Sequence, residues 1–161
     1  MKTLTGLVAV VVTATLLAPP VHAAPAFTWP LTPRPTVVTP FDLPEHNWLP
    51  GHRGVDLGGF DGQPVLAAGD GVVVFAGTVA GKPVVSVDHA GALRTTYEPV
   101  TALTSAGSRV RRGEPIGTLA SGHPGCAGPC LHWGLRRGRN YLEPTALVRT
   151  TPIRLKPLTP S

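Results

Sequence analysis

Two histidines and one aspartate in this sequence have the residue types and settings of metal ligands. His52 and Asp56 lie four residues apart in GHRGVDL (51–57), whose glycines and valine argue against a helix. In an extended segment, residues i and i+4 share a face, so both side chains can converge on one point. His132, in LHWGL (131–135), supplies a second imidazole. Two histidines, one aspartate and an open fourth position are the ligand set of a catalytic zinc site.

Neither fragment is specific when taken alone. A His-x-x-x-Asp spacing often arises by chance, and a lone histidine beside a tryptophan is more often a packed core residue. Both fragments are flanked by glycines at predicted strand edges, where the backbone can approach a ligand closely. At this level, a zinc site and a packed core stay open as alternative interpretations.

The elements expected to position these residues are short β-strands. Runs rich in β-branched residues recur between Gly, Pro and Asp from His46 to Val148, without helical periodicity of useful length. The stretches AGDG (68–71) and HAGA (89–92) have turn chemistry, which predicts antiparallel hairpins. The expected fold is all-β, a small antiparallel sandwich or barrel-like domain.

The start of the chain predicts export. Residues 1–23 combine Lys2, an apolar run from Leu4 to Ala18 and a small-residue cleavage site, which is the pattern of a signal peptide. The run of about 15 residues is shorter than the roughly 20 needed to cross a bilayer, so no membrane span is expected. We expect a monomeric protein that is secreted or held in the cell wall.

Three further segments follow the predicted signal peptide. Residues 24–45 are rich in proline, which predicts an extended linker or a strand that wraps a sheet edge. Residues 46–150 are expected to form the folded domain, and residues 151–161 an extended tail.

The charge of the chain is modest. A formal net charge of +5 is compatible with contact to anionic wall polymers, or simply with solubility. Trp29, Trp48 and Trp133 are not interleaved with basic residues as a base-stacking platform requires, so nucleic-acid binding is not expected.

Cys126 and Cys130 are the two cysteines of the chain. In an exported protein, oxidising surroundings favour a disulfide between them. So small a ring restricts little chain entropy and would mainly fix the turn at 125–130. The alternative is a reduced Cys130 that acts as an added metal ligand.

Five ordered motifs resemble the lysostaphin/LytM family of zinc metalloendopeptidases. They are GHRGVDL (51–57), GQPVLAAGDGVV (62–73), RVRRGEPIG (109–117), LHWGL (131–135) and YLEP (141–144). Members of that family cut peptide bonds in peptidoglycan cross-bridges or stems, with a zinc ion held by His, Asp and His. The resemblance implies a LytM-type peptidase domain, a zinc cofactor, peptidoglycan peptides as substrate, and His52, Asp56 and His132 as ligands.

The sequence departs from that family at its two non-ligand histidines. Active members carry one in a Tyr-x-His motif and one two residues before the last zinc ligand. Here those positions are Pro99 and Cys130. A proline side chain cannot transfer a proton, and a disulfide would remove the thiol of Cys130. Loss of one positioned acid–base group typically costs about 10² to 10⁴ in rate.

The proton-transferring residue is therefore unassigned. The main candidates are His123 and Glu98, followed by His89 and His46, and each could instead be an ordinary polar residue; for His123 the alternative is a solvated loop position. Two functions stay open. One is a secreted zinc peptidase that acts on peptidoglycan peptides through zinc-activated water. The other is a catalytically degenerate module that binds peptidoglycan or activates another wall hydrolase.

Two other features beside the predicted site could contribute to a cleft. Tyr97 is expected to be half-buried on its strand, with a hydroxyl that can line the cleft. A basic cluster beside the His132 strand could meet stem-peptide carboxylates or anionic polymers, or could be a solvated edge. Its members are Arg136, Arg137 and Arg139.

Overall fold

The computed structural model describes residues 26–46 and 49–149, which fold as an all-β domain. The strands are β1 (Val37–Thr39), β2 (Gly54–Gly58), β3 (Pro64–Leu66), β4 (Gly71–Val79), β5 (Lys82–His89), β6 (Leu93–Glu98), β7 (Val100–Ala102), β8 (Arg109–Val110), β9 (Pro115–Leu119), β10 (Cys130–Arg137) and β11 (Asn140–Leu142). Short 3₁₀ turns cover Ala90–Ala92 and Pro144–Leu147. Within these described ranges there is no α-helix, and no helix that could cross a membrane.

The strands form two antiparallel sheets, which confirms the predicted fold class. The large sheet has the order β1-β2-β10-β6-β5-β4-β8, and β11 pairs with the end of β10. The small sheet has the order β3-β9-β7. The signal peptide predicted for 1–23 and the tail predicted for 151–161 lie outside the described residues.

One hydrophobic core joins the two sheets. Successive side chains of a strand point to opposite faces, so β10 buries Leu131 and Trp133 in this core and turns His132 to the other face. The small sheet contributes Val65 and Ile116, both fully buried. The outer face of the large sheet is thereby left to the polar residues of the candidate site.

The proline-rich segment is part of the folded body. Leu31 is only 1% exposed, and Trp29 packs against the core with its ring centroid 6.1 Å from that of Trp133. Strand β1 pairs with β2 at the edge of the large sheet. Of the two alternatives for residues 24–45, the described part (26–45) shows the edge strand, and the folded body begins before His46.

Tyr97 does not line a cleft, contrary to the expectation. Its side chain is fully buried, and its hydroxyl accepts a hydrogen bond of 2.9 Å from the amide of Ala68. A second hydrogen bond of 2.8 Å links that hydroxyl to Oγ1 of Thr95. Burial raises the pKa of Tyr97 to about 12, so this residue is a neutral, internally bonded core residue.

Candidate metal centre

The pairing of β2 with β10 brings the predicted ligands together. Asp56 lies directly opposite His132 in the antiparallel register, and His52 lies just before β2. Oδ1 of Asp56 is 3.0 Å from Nε2 of His52 and 3.0 Å from Nδ1 of His132. The two imidazole nitrogens are also 3.0 Å apart. Three donor atoms therefore form a compact triangle on the outer face of the sheet.

Two local features hold the imidazoles in this arrangement. Nδ1 of His52 donates a 2.7 Å hydrogen bond to the carbonyl oxygen of Pro40, which leaves the lone pair of Nε2 for the centre. Gly54 makes room for the His132 ring, because a Cβ there would lie 2.6 Å from its Nε2. The motif glycine is thus needed for close approach, as its setting in the sequence indicated.

The donor set fits a zinc ion. Zinc bonds of about 2.0–2.2 Å put neighbouring ligands of a tetrahedral ion roughly 3.3 Å apart, close to the observed triangle. Two neutral imidazoles and one carboxylate are ligands that zinc accepts. His52, Asp56 and His132 are the residues that would hold it.

Asp56 is held in its anionic form. Its side chain is 4% exposed, and this burial raises its pKa. Hydrogen bonds from His132 and Thr39, with the nearby charges of His52 and His123, outweigh that effect, so the net pKa lies below the usual value. An ionised, buried carboxylate can bind a cation without first losing a proton.

His123 lies at the same centre, so its interpretation as a solvated loop residue is wrong. Its side chain is 11% exposed, and its Nε2 is 3.2 Å from Oδ1 of Asp56. Its ring stacks on that of His132, with centroids 5.3 Å apart. Burial lowers its pKa; the charges of Asp56 and Glu98 oppose that effect, and those of His132 and Lys82 add to it. The sequence offered only an unspecific signal for His123, a histidine between glycines ahead of β10.

Glu98 also lies beside the centre. Its Oε1 lies 3.5 Å from Nδ1 of His123. The same oxygen forms an ion pair with Nζ of Lys82 at 2.9 Å. It sits on β6 opposite His132 in the register. Of the two main proton-transfer candidates of the sequence, His123 therefore adjoins the donor atoms directly, and Glu98 adjoins His123.

The other candidates are placed elsewhere. His89 is buried and bonded to Asp70 and Thr95, and His46 is exposed and outside the cluster of donor atoms found among the described residues. Cys130 forms a disulfide with Cys126. The disulfide prediction agrees with the structure, and the alternative of a reduced Cys130 ligand does not.

A groove leads away from the centre across the face of the large sheet. This cavity of about 320 Å³ runs from His132 and Glu98 past Gly134 to Arg136, with Tyr141 on its wall. Gly134 forms a low floor, because it has no side chain and the space that a Cβ would occupy is unfilled, with no atom nearer than 3.7 Å. The half-buried Arg136 is the groove's member of the predicted basic cluster, whereas Arg137 and Arg139 are exposed.

Residues 50–144 match Peptidase family M23. The chain belongs to this family. Over 147 residues it is 56% identical to an uncharacterised protein of Mycobacterium tuberculosis, covering 88% of this chain and 59% of the relative. It is 34% identical over 108 residues to the DD-carboxypeptidase/endopeptidase Mpg of Neisseria meningitidis, covering 66% of this chain and 25% of the relative. The chain therefore spans less than two thirds of the length of each of these relatives.

Solved structures agree with this assignment. A zinc-containing peptidase from Vibrio cholerae superposes with a TM-score of 0.61 at 25% identity, covering 73% of this chain and 38% of the other. The solution structure of lysostaphin gives a TM-score of 0.64 at 19% identity, over 84% of this chain and 62% of the other. The family match confirms the family expected from the five motifs, and these structural likenesses confirm the fold.

Proposed function

We propose that this protein is an exported zinc peptidase that hydrolyses peptide bonds in peptidoglycan. Membership of family M23 supports a peptidase-like function on peptidoglycan. The observation that carries the proposal is the triangle of 3.0 Å separations between the donor atoms of His52, Asp56 and His132. When bound there, zinc would supply an acidified water and polarise the peptide carbonyl.

The groove supports a peptide substrate. Its low floor at Gly134 and Thr96 admits an extended chain beside His132. Arg136 at its far end offers a guanidinium to an acidic side chain or a terminal carboxylate, both of which occur in wall peptides. Lys82 holds Glu98 at the near end, where its carboxylate can accept a hydrogen bond from a substrate amide.

Export is supported by two features. The residues at 1–23 have the pattern of a signal peptide, and the disulfide between Cys126 and Cys130 suits an oxidising compartment. The site of action would be the cell wall or the extracellular space.

A second candidate function is a binding module that recognises peptidoglycan or activates another wall hydrolase without cutting. The observation that favours it is the replacement of both non-ligand histidines by Pro99 and by the disulfide-bonded Cys130. Such a binding module would have the same groove and metal centre as the peptidase and would differ from it only in lacking turnover.

The test is amine release from purified peptidoglycan by the zinc-loaded mature protein, with zinc content measured in the same samples. We expect release that stops on chelation, and its loss together with bound zinc in His52→Ala. Turnover no higher than in the chelated sample, for both the wild type and a His123→Ala variant, would reject hydrolysis and leave the binding module.

A further inference from the structure

Four donor atoms converge at the metal centre. One ligand atom each from His52, Asp56, His123 and His132 can be chosen so that all four lie within 4.8 Å of one another. Nε2 of His123 is 3.2 Å from Oδ1 of Asp56, close to the 3.0 Å sides of the triangle. His123 therefore brings a fourth donor atom to the three-ligand set.

The loop that carries His123 is fastened on both sides. Before it, the Ala120 amide donates to the carbonyl oxygen of Pro99 at 3.0 Å, and Oγ of Ser121 donates to Asp61 at 3.0 Å. After it, the disulfide ties Cys126 to β10. The imidazole is thus presented on a short span between fixed points.

The other ring nitrogen of His123, Nδ1, is buried and makes no hydrogen bond within the described part of the chain. Nδ1 faces Oε1 of Glu98 at 3.5 Å, and Lys82 holds that carboxylate in place at 2.9 Å. A carboxylate accepts only, so it favours a hydrogen on Nδ1 and leaves the lone pair on Nε2.

We propose that His123 is a fourth protein ligand, which closes the metal centre in the conformation described. The inference rests on the proposed function for the other three ligands. Three protein ligands and an open position are typical of catalytic zinc sites, whereas four protein ligands are typical of closed ones. Hydrolysis then requires the His123 side chain to withdraw. Gly122 and Gly125, with φ of +98° and +89°, are the points where the loop backbone turns.

The experiment compares the wild type with His123→Ala, Glu98→Gln and His46→Ala, each loaded with cobalt(II) or zinc. His46 is an exposed histidine outside the cluster and provides the control. We expect the visible spectrum of cobalt(II) to change in His123→Ala and to return towards that of the wild type when free imidazole is added. Zinc affinity in His123→Ala should fall by more than the roughly 10–100-fold that loss of an outer hydrogen-bond partner costs. In Glu98→Gln the loss of zinc affinity should lie within that range, and in His46→Ala the zinc affinity should not change.

Identical cobalt spectra and zinc affinities in the wild type and His123→Ala would overturn the proposal. Amine release measured on the same samples gives a separate readout. If the proposal holds, opening the fourth position raises release in His123→Ala. Lost release with unchanged zinc affinity would make His123 a catalytic residue instead of a ligand. No release from either protein, with the spectral change present, would reject hydrolysis and leave the fourth ligand standing.

Discussion

Among single residues, Gly54 has the least room beside the metal centre. A Cβ at this position would lie 2.6 Å from Nε2 of His132 and 2.6 Å from the carbonyl oxygen of Trp133. Because the backbone oxygen cannot move aside, we expect Gly54→Ala to displace the His132 ring and to lower zinc affinity roughly 10–100-fold. Competition with a chromophoric chelator would measure this affinity.

Gly134→Ala is the matched control, because its nearest atoms would be 3.7 Å away at ordinary contact distance. It should retain zinc affinity, and circular dichroism should show the same fold for both variants. Equal zinc affinities in the two variants would contradict the steric argument for Gly54.

Arg136 is the residue whose loss should affect the substrate without affecting the metal. If its guanidinium binds a substrate carboxylate at the end of the groove, Arg136→Ala removes a charge-assisted hydrogen bond worth about 1.5–3 kcal/mol. We expect kcat/KM for an acidic wall peptide to fall roughly 10- to 150-fold, through KM, with zinc content unchanged. Arg137→Ala, an exposed neighbour, should behave as the wild type, and an equal loss in both variants would point to a general charge effect.

The sequence predicted three of the four clustered residues. His52 and Asp56 share a recognisable local spacing, and His132 follows from its motif. His123 could not be placed in the same way, because it reaches the centre through a loop between two glycines. Its approach depends on long-range contacts, such as the hydrogen bond from Ser121 to Asp61, that have no periodic signature.

At the scale of elements, the loop closed by the disulfide is the part whose loss should most clearly affect zinc affinity. Replacing Cys126 and Cys130 together by alanine frees one end of the span that carries His123. We expect zinc affinity to fall in the direction of His123→Ala, and stability to fall by about 2 kcal/mol at most, because the closed ring is small. Chelator competition and thermal unfolding would measure the two effects.

A double-mutant cycle decides whether the loop acts through His123. In the His123→Ala background, the two alanine replacements should cause little further loss of zinc affinity, because the residue they position is already absent. Fully additive losses would show that the disulfide affects the centre by another route.

The proline-rich segment shows the limit of prediction at this scale. Its proline density predicted an extended chain, but composition alone did not decide between a linker and an edge strand. Two tertiary contacts make this segment part of the fold: Leu31 is buried in the core, and β1 pairs with β2 at the edge of the large sheet. Neither contact can be predicted before the sheet order is known.

For the whole molecule, the expected pH dependence of stability comes from a buried histidine that is not part of the metal centre. Nδ1 of His89 donates a 2.8 Å hydrogen bond to the carbonyl of Asp70, and Nε2 lies 2.7 Å from Oγ1 of Thr95. Burial lowers the pKa of His89 below the ordinary 6.5, and the Asp70 hydrogen bond and the Asp88 charge only partly oppose this. The folded protein therefore favours the neutral ring.

Since the unfolded chain takes up this proton more readily, the stability due to His89 is complete above pH 6.5. It is lost as the pH falls from there through the lower pKa of the folded state. We expect metal-free protein, kept so by a chelator, to lose unfolding free energy between pH 7.5 and pH 5, measured by denaturant titration. His89→Gln should be less stable at pH 7.5 but show a flatter pH dependence, because its side chain does not titrate.

His123, whose pKa is also lowered by burial, contributes equally to the pH dependence of both proteins, so its contribution cancels in the difference. His46→Ala should retain the full slope, and a His89→Gln slope parallel to that of the wild type would show that the acid sensitivity arises elsewhere.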